Sequence, residues 1–275
     1  MQNWSIEFTP ANGRDIDDFR RILPLGTTVN VTAIPGVDLD LMRSTVRQLA
    51  AQEMNPVPHI AARGIASVHA LKSLLESYRE AEVTEVLLIA GGYKSPVGEF
   101  KSSIEVLETG LLQALGIEKV GVAGHPEGSP DIPEEELQRA LKQKNVLAGE
   151  SGLEIYIETQ FCFDSQAILC WEAQMRQAGN QLPIRIGLAG PAKLKTLIHF
   201  ALISGVGPSL QFLKKQARNV SKLLTIQDPY DLIAELAPHL DSQSSNCLQS
   251  IHLYPFGEFS QTARFANQLA TFGSR

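Results

Sequence analysis

Residues 67–92, SVHALKSLLESYREAEVTEVLLIAGG, contain both kinds of element from which this fold is expected to be built. The first part places Leu71, Leu74, Leu75 and Tyr78 three and four residues apart, which gives a helix one apolar face. The second part, EVLLIAGG, is a short apolar run, as is typical of a parallel strand that is covered on both faces. This stretch therefore predicts an amphipathic helix that packs on a sheet, followed by a buried strand.

The same alternation of apolar run, polar turn and amphipathic helix recurs along the whole chain. Eight of these runs are expected to be strands: Trp4–Pro10, Thr28–Pro35, Val57–Ala62, Glu85–Gly92, Lys119–Pro126, Leu153–Phe161, Pro183–Gly190 and Ser250–Gly257. The helix patterns between them include Leu39–Glu53, Ser67–Ala81 and Asp131–Leu141. Eight such units predict an α/β protein with a (β/α)8 TIM barrel, a fold whose usual length is about 250 residues.

The barrel is expected to be a single catalytic domain spanning residues 1–275, because no linker or low-complexity run divides the sequence. The long stretch between the seventh and eighth strands, 193–249, predicts a helical insertion before the last strand. The rival fold is a doubly wound open sheet, which would carry a glycine-rich GxGxxG turn after its first strand. The sequence EFTPANG contains no such turn, so the barrel is preferred.

Composition and net charge indicate which partners and which cellular compartment the protein has. The 275 residues carry a formal net charge of −6, which argues against a protein that mainly grips nucleic acid or anionic lipid. The three cysteines show no CxxC spacing, which is typical of a reducing compartment. The N-terminus lacks the features of a secretory signal, and no uninterrupted apolar stretch of about 18 residues exists. We therefore expect a cytoplasmic protein without nucleic-acid or membrane partners.

Polar groups end several of the apolar strands, where barrel enzymes place their chemistry. Glu7 lies among Ile6, Phe8 and Pro10, and burial there would raise the pKa of its carboxyl and suit it to proton donation. A backbone or basic partner that merely satisfies the Glu7 carboxylate is an equally good interpretation on the residues alone.

Two histidines and a pair of glycines also follow strands. His59 and His125 are each more often scaffold than ligand when they stand alone. A metal site would need three or four converging ligands, and none is expected here. Gly91 and Gly92, followed by Lys94, would let backbone N–H groups approach an anion, although a simple tight turn explains them as well.

Short motifs at these strand ends resemble those of the methylenetetrahydrofolate reductase family. Glu7–Pro10 stands for the family's EFFPP-like strand, Val31–Thr32 for its VT, and Pro58–Ile60 for its PHL. His125–Pro130 resembles the YPEGHP-like turn, and Thr159–Asp164, TQFCFD, resembles TQFFFD. The motifs come in family order and span nearly the whole chain.

The resemblance implies an FAD-containing oxidoreductase, a flavoprotein that interconverts 5,10-methylenetetrahydrofolate and 5-methyltetrahydrofolate by hydride transfer through the flavin. Glu7 would be the catalytic general acid, and Gln160 and Phe200 would contact the folate substrate. The residues that match flavin-contacting positions are Thr32, His59, Gly91, Gly92, Tyr93, His125 and Lys144. The implied partners are tetrahydrofolate substrates and a reduced electron donor, NADH or another reductant. The implied roles are one-carbon metabolism and methionine biosynthesis, in a homo-oligomer.

The chain also departs from the family pattern. Gly91-Gly92-Tyr93 stands where the family commonly has Arg-Gly-Asp, and Phe256-Gly257-Glu258 replaces a segment that carries an arginine. These changes indicate a divergent bacterial-type member. They also leave two alternatives open: a folate-binding barrel without flavin, of lyase or methyltransferase type, and a non-catalytic folate-binding subunit of an electron-transfer complex.

Overall fold

Eight strands form a closed barrel in the computed structural model of the chain, which describes residues 4–12, 16–36, 38–216, 223–240 and 245–272. The barrel strands are β1 Trp4–Phe8, β2 Thr28–Val31, β3 Asn55–Ala61, β4 Glu85–Ile89, β5 Lys119–Gly124, β6 Glu154–Thr159, β7 Ile184–Ala189 and β10 Leu248–Tyr254. They follow one another around the barrel in chain order, and β10 lies between β7 and β1. The predicted (β/α)8 barrel is confirmed.

Ten α-helices lie within the described residues, and those of the βα units alternate with the strands. They are α1 Leu39–Ala51, α2 Val68–Arg79, α3 Ser103–Leu107, α4 Leu111–Ala114, α5 Glu134–Ser151, α6 Ser165–Gln177, α7 Leu194–Ile203, α8 Gly207–Gln216, α9 Tyr230–Leu236 and α10 Phe259–Phe272. In α2 the apolar side chains predicted to face the sheet, Leu71, Leu74, Leu75 and Tyr78, are all buried.

The insertion predicted before the last strand is present and is not entirely helical. It contains α7, α8 and α9 together with a short antiparallel pair of strands, β8 Ala192–Lys193 and β9 Ile226–Gln227. Two-residue strands carry no hydrophobic period, so the sequence offered no signal for this pair.

The chain divides into two compact units. The N-terminal unit comprises Ser5–Ala123 and Gln143–Ile157, and the C-terminal unit comprises Met1–Trp4, Gly124–Lys142 and Glu158–Arg275. Each unit is described by itself below. That residues 1–275 act as one catalytic domain stays a prediction.

Candidate functional site

In the N-terminal unit, two predicted site residues lie at the carboxyl ends of the neighbouring strands β1 and β2. Glu7 on β1 is partly exposed and pairs in register with Asn30 on β2. Thr32, just after β2, is buried and donates its hydroxyl hydrogen to the Phe8 carbonyl oxygen at 3.1 Å. Its Oγ1 also lies 3.0 Å from Oγ1 of Thr9. The Thr32 side chain therefore ties the carboxyl ends of β1 and β2 together.

The glycine turn after β4 packs against neighbouring loops of the same unit. Gly91 has a φ of +88°, a conformation that favours glycine, and a Cβ atom there would lie 2.8 Å from Cβ of Ala61. The Tyr93 hydroxyl oxygen accepts a hydrogen bond from the Gly36 backbone N–H at 3.4 Å. Its ring fills the space beside Gly64, where a Cβ atom would approach it to 2.8 Å. Tyr93 thus covers the loops after β2 and β3.

His59 and Lys144 are the two predicted residues of this unit that are buried basic side chains. His59 lies on β3 beside Leu87 of β4. Lys144 lies on α5, is 8% exposed, and its ammonium donates to the Ala123 carbonyl oxygen at 3.4 Å, near the carboxyl end of β5. Within the described part of the chain Lys144 makes no ion pair, and burial lowers the pKa of its ammonium to about 8.

In the C-terminal unit, the Glu127 carboxylate, in the loop after β5, forms hydrogen bonds with the loop after β6 and with α8. Glu127 accepts hydrogen bonds from the Ser209 N–H at 3.0 Å, from the Ser209 hydroxyl, and from the Cys162 thiol at 3.2 Å. Burial, with the nearby Glu127 carboxylate, raises the pKa of the Cys162 thiol to about 12, so the thiol stays protonated and donates. Glu127 therefore holds the start of α8 against these loops. Sequence reasoning missed Ser209, which lies 82 residues away and belongs to no recognisable motif.

Gln160 and Phe200, the predicted substrate contacts, meet at the last turn of α7. The Gln160 side-chain amide donates to the Ser204 carbonyl oxygen at 3.3 Å, and the Ser204 N–H donates to the Phe200 carbonyl oxygen at 3.0 Å. The Phe200 ring stacks on Phe256 with centroids 4.4 Å apart. His125, also in this unit, is partly exposed after β5.

A buried polar cluster links three strands of the same unit. Arg185 on β7 lies 3.3 Å from the Glu158 carboxylate on β6, and Nδ1 of His252 on β10 lies 3.7 Å from the same oxygen. Arg185 and His252 each stand between two apolar residues of their strands, which is the signal that would have pointed to them. The hydroxyl of Tyr254 donates to the Thr159 carbonyl oxygen at 3.0 Å, and its ring lies against Gly187.

The described residues contain neither a metal cluster nor a membrane span. No group of three or more His, Cys, Asp or Glu side chains there is placed to hold a metal ion. None of the helices in the described ranges is long and apolar enough to cross a membrane.

The barrel resembles solved structures at very low sequence identity. An oxaloacetate acetylhydrolase matches with a TM-score of 0.51 at 9% identity, over 99% of this chain and 80% of the other. A sialic acid aldolase from Ruminococcus gnavus matches with a TM-score of 0.44 at 9% identity, over 75% of this chain and 66% of the other. No protein-family model matches the sequence. The first likeness supports the barrel fold.

These findings correct the identification made from the strand-end motifs. The chain is not assigned to the methylenetetrahydrofolate reductase family, because no family model matches and the barrel resembles an acetylhydrolase instead. The expected FAD-dependent oxidoreductase activity, the flavoprotein class and the roles in one-carbon metabolism and methionine biosynthesis are therefore wrong as well. The physical reason is that each motif is only two to six residues long. Polar residues and Pro or Gly turns after apolar strands belong to the barrel architecture itself.

Proposed function

We propose that the protein is a barrel enzyme of the lyase type that works without flavin and cleaves the bond between C3 and C4 of a small 2-oxo acid, one carbon away from the C2 carbonyl. The observation that carries the proposal is the buried amine of Lys144 near the carboxyl end of β5. The likeness to an oxaloacetate acetylhydrolase supports the same substrate class by analogy of fold.

A lysine must be neutral to attack a carbonyl carbon. With a pKa of about 8, roughly a tenth of the Lys144 amine is neutral at pH 7, which is several hundred times the fraction of an ordinary lysine. Burial without an ion-pair partner is how proteins prepare lysines that form imines. The amine would attack the carbonyl carbon, and water would leave.

The resulting iminium is the electron sink that the reaction needs. The bond between C3, the carbon next to the iminium carbon C2, and C4 breaks. Its electron pair forms the C2=C3 double bond, and the iminium π pair moves to nitrogen, which gives an enamine. C4 leaves as an aldehyde, once its hydroxyl has lost a proton, or as CO2 where C4 is a carboxylate. Protonation of the enamine and hydrolysis then release the product and restore the amine. Glu7, in the same unit, is the proposed proton donor. That Gln160 and Phe200 contact a substrate stays a prediction.

Reductive trapping tests the proposal. Purified protein is mixed with pyruvate, oxaloacetate or 2-oxoglutarate, treated with sodium borohydride, digested and analysed by mass spectrometry. We expect a reduced adduct on Lys144 with at least one acid, and none in Lys144→Arg, which keeps the charge but not the nucleophile. Lys142→Arg, on the exposed side of the same helix, is the matched control and should still form the adduct. Adducts on other lysines only, or on none, would overturn the proposal.

A further inference from the structure

A cavity of about 380 Å³ lies in the C-terminal unit between the start of α6, the end of β7 and the insertion helices α8 and α9. No residue of the proposed lyase site lines it. Its volume lies within the range of small-molecule pockets, which is about 300 to 1,000 Å³.

The inner wall of the cavity is apolar and belongs to the core of the unit. Ala189, Leu197 and Leu213 are each at most 4% exposed and form part of one buried cluster. Phe212, beside Leu213 on α8, also lines the cavity, yet its side chain remains 42% exposed. An aromatic ring held at the wall of a cavity offers a ligand both apolar contact and a π face.

The outer rim is acidic. Asp228, Asp231 and Glu235 are exposed. Asp231 and Glu235 lie four residues apart on one side of α9, and Asp228 lies two residues before that helix begins. Glu235 accepts a hydrogen bond from the Ser165 hydroxyl at 2.5 Å, and Asp228 accepts one from the Tyr230 N–H at 3.0 Å. Asp231 has no hydrogen bond or ion pair in the described ranges. No lysine, arginine or histidine is among the residues that line the cavity.

We propose that this cavity binds a small organic cation: an ammonium or guanidinium group attached to an aryl or alkyl body. The body would rest on Leu197, Leu213 and the Phe212 ring, and the charge would lie at the α9 rim. Like charges one helical turn apart repel, and a bound cation would relieve that repulsion. The acidic rim alone would attract any cation, but the buried apolar side chains of Leu197 and Leu213 favour one that carries an apolar part. The proposal is independent of the Lys144 chemistry.

Isothermal titration calorimetry with 4-phenylbutylamine tests the proposal, with two matched probes. We expect 4-phenylbutan-1-ol, which lacks the charge, and n-butylamine, which lacks the ring, each to bind about tenfold more weakly than the amine. The double variant Asp228→Asn, Asp231→Asn should bind 4-phenylbutylamine about fivefold more weakly or worse. Asn at position 228 keeps the side-chain oxygen that accepts the hydrogen bond from the Tyr230 N–H, so the start of α9 should be preserved.

A control variant that loses the same number of negative charges elsewhere distinguishes the effect of the cavity rim from the effect of the net charge of the protein. Glu134→Gln, Glu136→Gln removes two negative charges from exposed positions on α5 and should leave the affinity unchanged. Phe212→Ala, at an exposed position, tests the apolar wall and should also weaken binding. The inference is overturned if the alcohol binds as tightly as the amine, if both double variants weaken binding equally, or if the amine does not bind. Because Lys144→Arg leaves the cavity intact, amine binding that survives in that variant distinguishes this site from the proposed lyase site.

Discussion

Lys144 illustrates how one buried charge shapes both chemistry and stability. Its pKa falls from 10.5 to about 8 because burial disfavours the ammonium form. Below pH 8 the Lys144 side chain is protonated in both the folded and the unfolded chain. Burial of the ammonium then lowers the free energy of unfolding by the full amount that the pKa difference implies, about 3 kcal/mol. Between about pH 8 and 10.5 only the unfolded chain keeps it, so stability rises with pH across this window.

The change Lys144→Met removes that penalty while keeping a long, flexible side chain. We expect the variant to be more stable than the wild type at pH 7, by up to about 3 kcal/mol, and the difference to shrink toward pH 10. Urea unfolding at several pH values measures both quantities. Lys142→Met, at an exposed position on the same helix, controls for the lost positive charge. Parallel stability curves for the wild type and Lys144→Met would contradict the assignment of a lowered pKa.

At the scale of single elements, the glycine in β7 and the glycine in α5 differ in whether a side chain would fit. Gly187 on β7 has no room for a side chain, because a Cβ atom would meet the backbone carbonyl oxygen of Thr159 and the ring of Tyr254. Gly149 lies in α5, is exposed, and a Cβ atom there would meet nothing within 4 Å. The first glycine is required by packing, whereas the second only weakens its helix.

Matched alanine substitutions test this difference. Gly187→Ala should destabilise the protein by about 3 kcal/mol, because backbone atoms of β6 would have to move. Gly149→Ala should stabilise it by about 0.5 to 1 kcal/mol, since alanine restricts the unfolded chain and favours the helix. Urea unfolding measures both changes. Equal effects of the two substitutions would refute the close approach of β6 to Gly187.

Element positions followed from the sequence wherever a hydrophobic period was present. The strands beginning at Thr28, Glu85 and Lys119 start where the apolar runs predict. The predicted helix 131–141 ends too early, because α5 continues to Ser151. The apolar spacing of Ala140 and Leu141 is taken up again by Leu147 and Ala148, but the charged Lys144 stands between them and hid the continuation of the stripe.

Candidate site residues were easier to predict than their partners. The sequence pointed to Thr32 and Gln160 as polar groups at strand ends, and both lie there. It did not indicate that the Thr32 hydroxyl bonds to Phe8 or that Gln160 bonds to the end of α7. Such bonds join residues far apart in the chain, so only the folded geometry specifies them. The cavity lined by α6 and α9 could not be predicted for the same reason, because the residues that line it come from distant parts of the chain.

For the whole molecule, the lyase proposal and the prediction of bound FAD lead to different spectra. We expect the purified protein to show no visible flavin absorption and to bind no added FAD in equilibrium dialysis. The physical reason is that Thr32, Gly91 and Tyr93, the predicted flavin contacts, already bond or pack within their own unit. A yellow protein whose colour is removed with the cofactor would contradict this expectation and favour the FAD prediction.

Closure of the barrel also affects how the chain meets other copies of itself. An open sheet exposes unpaired backbone N–H and C=O groups along its outer strands, and these recruit strands from other molecules. In the described residues every barrel strand has a neighbour on both sides, so the free strand edges belong to β8 and β9, two residues each. One of these residues is the exposed charge of Lys193, a common guard against such pairing. Addition of a strand from another molecule to the barrel sheet would therefore first require the barrel to open.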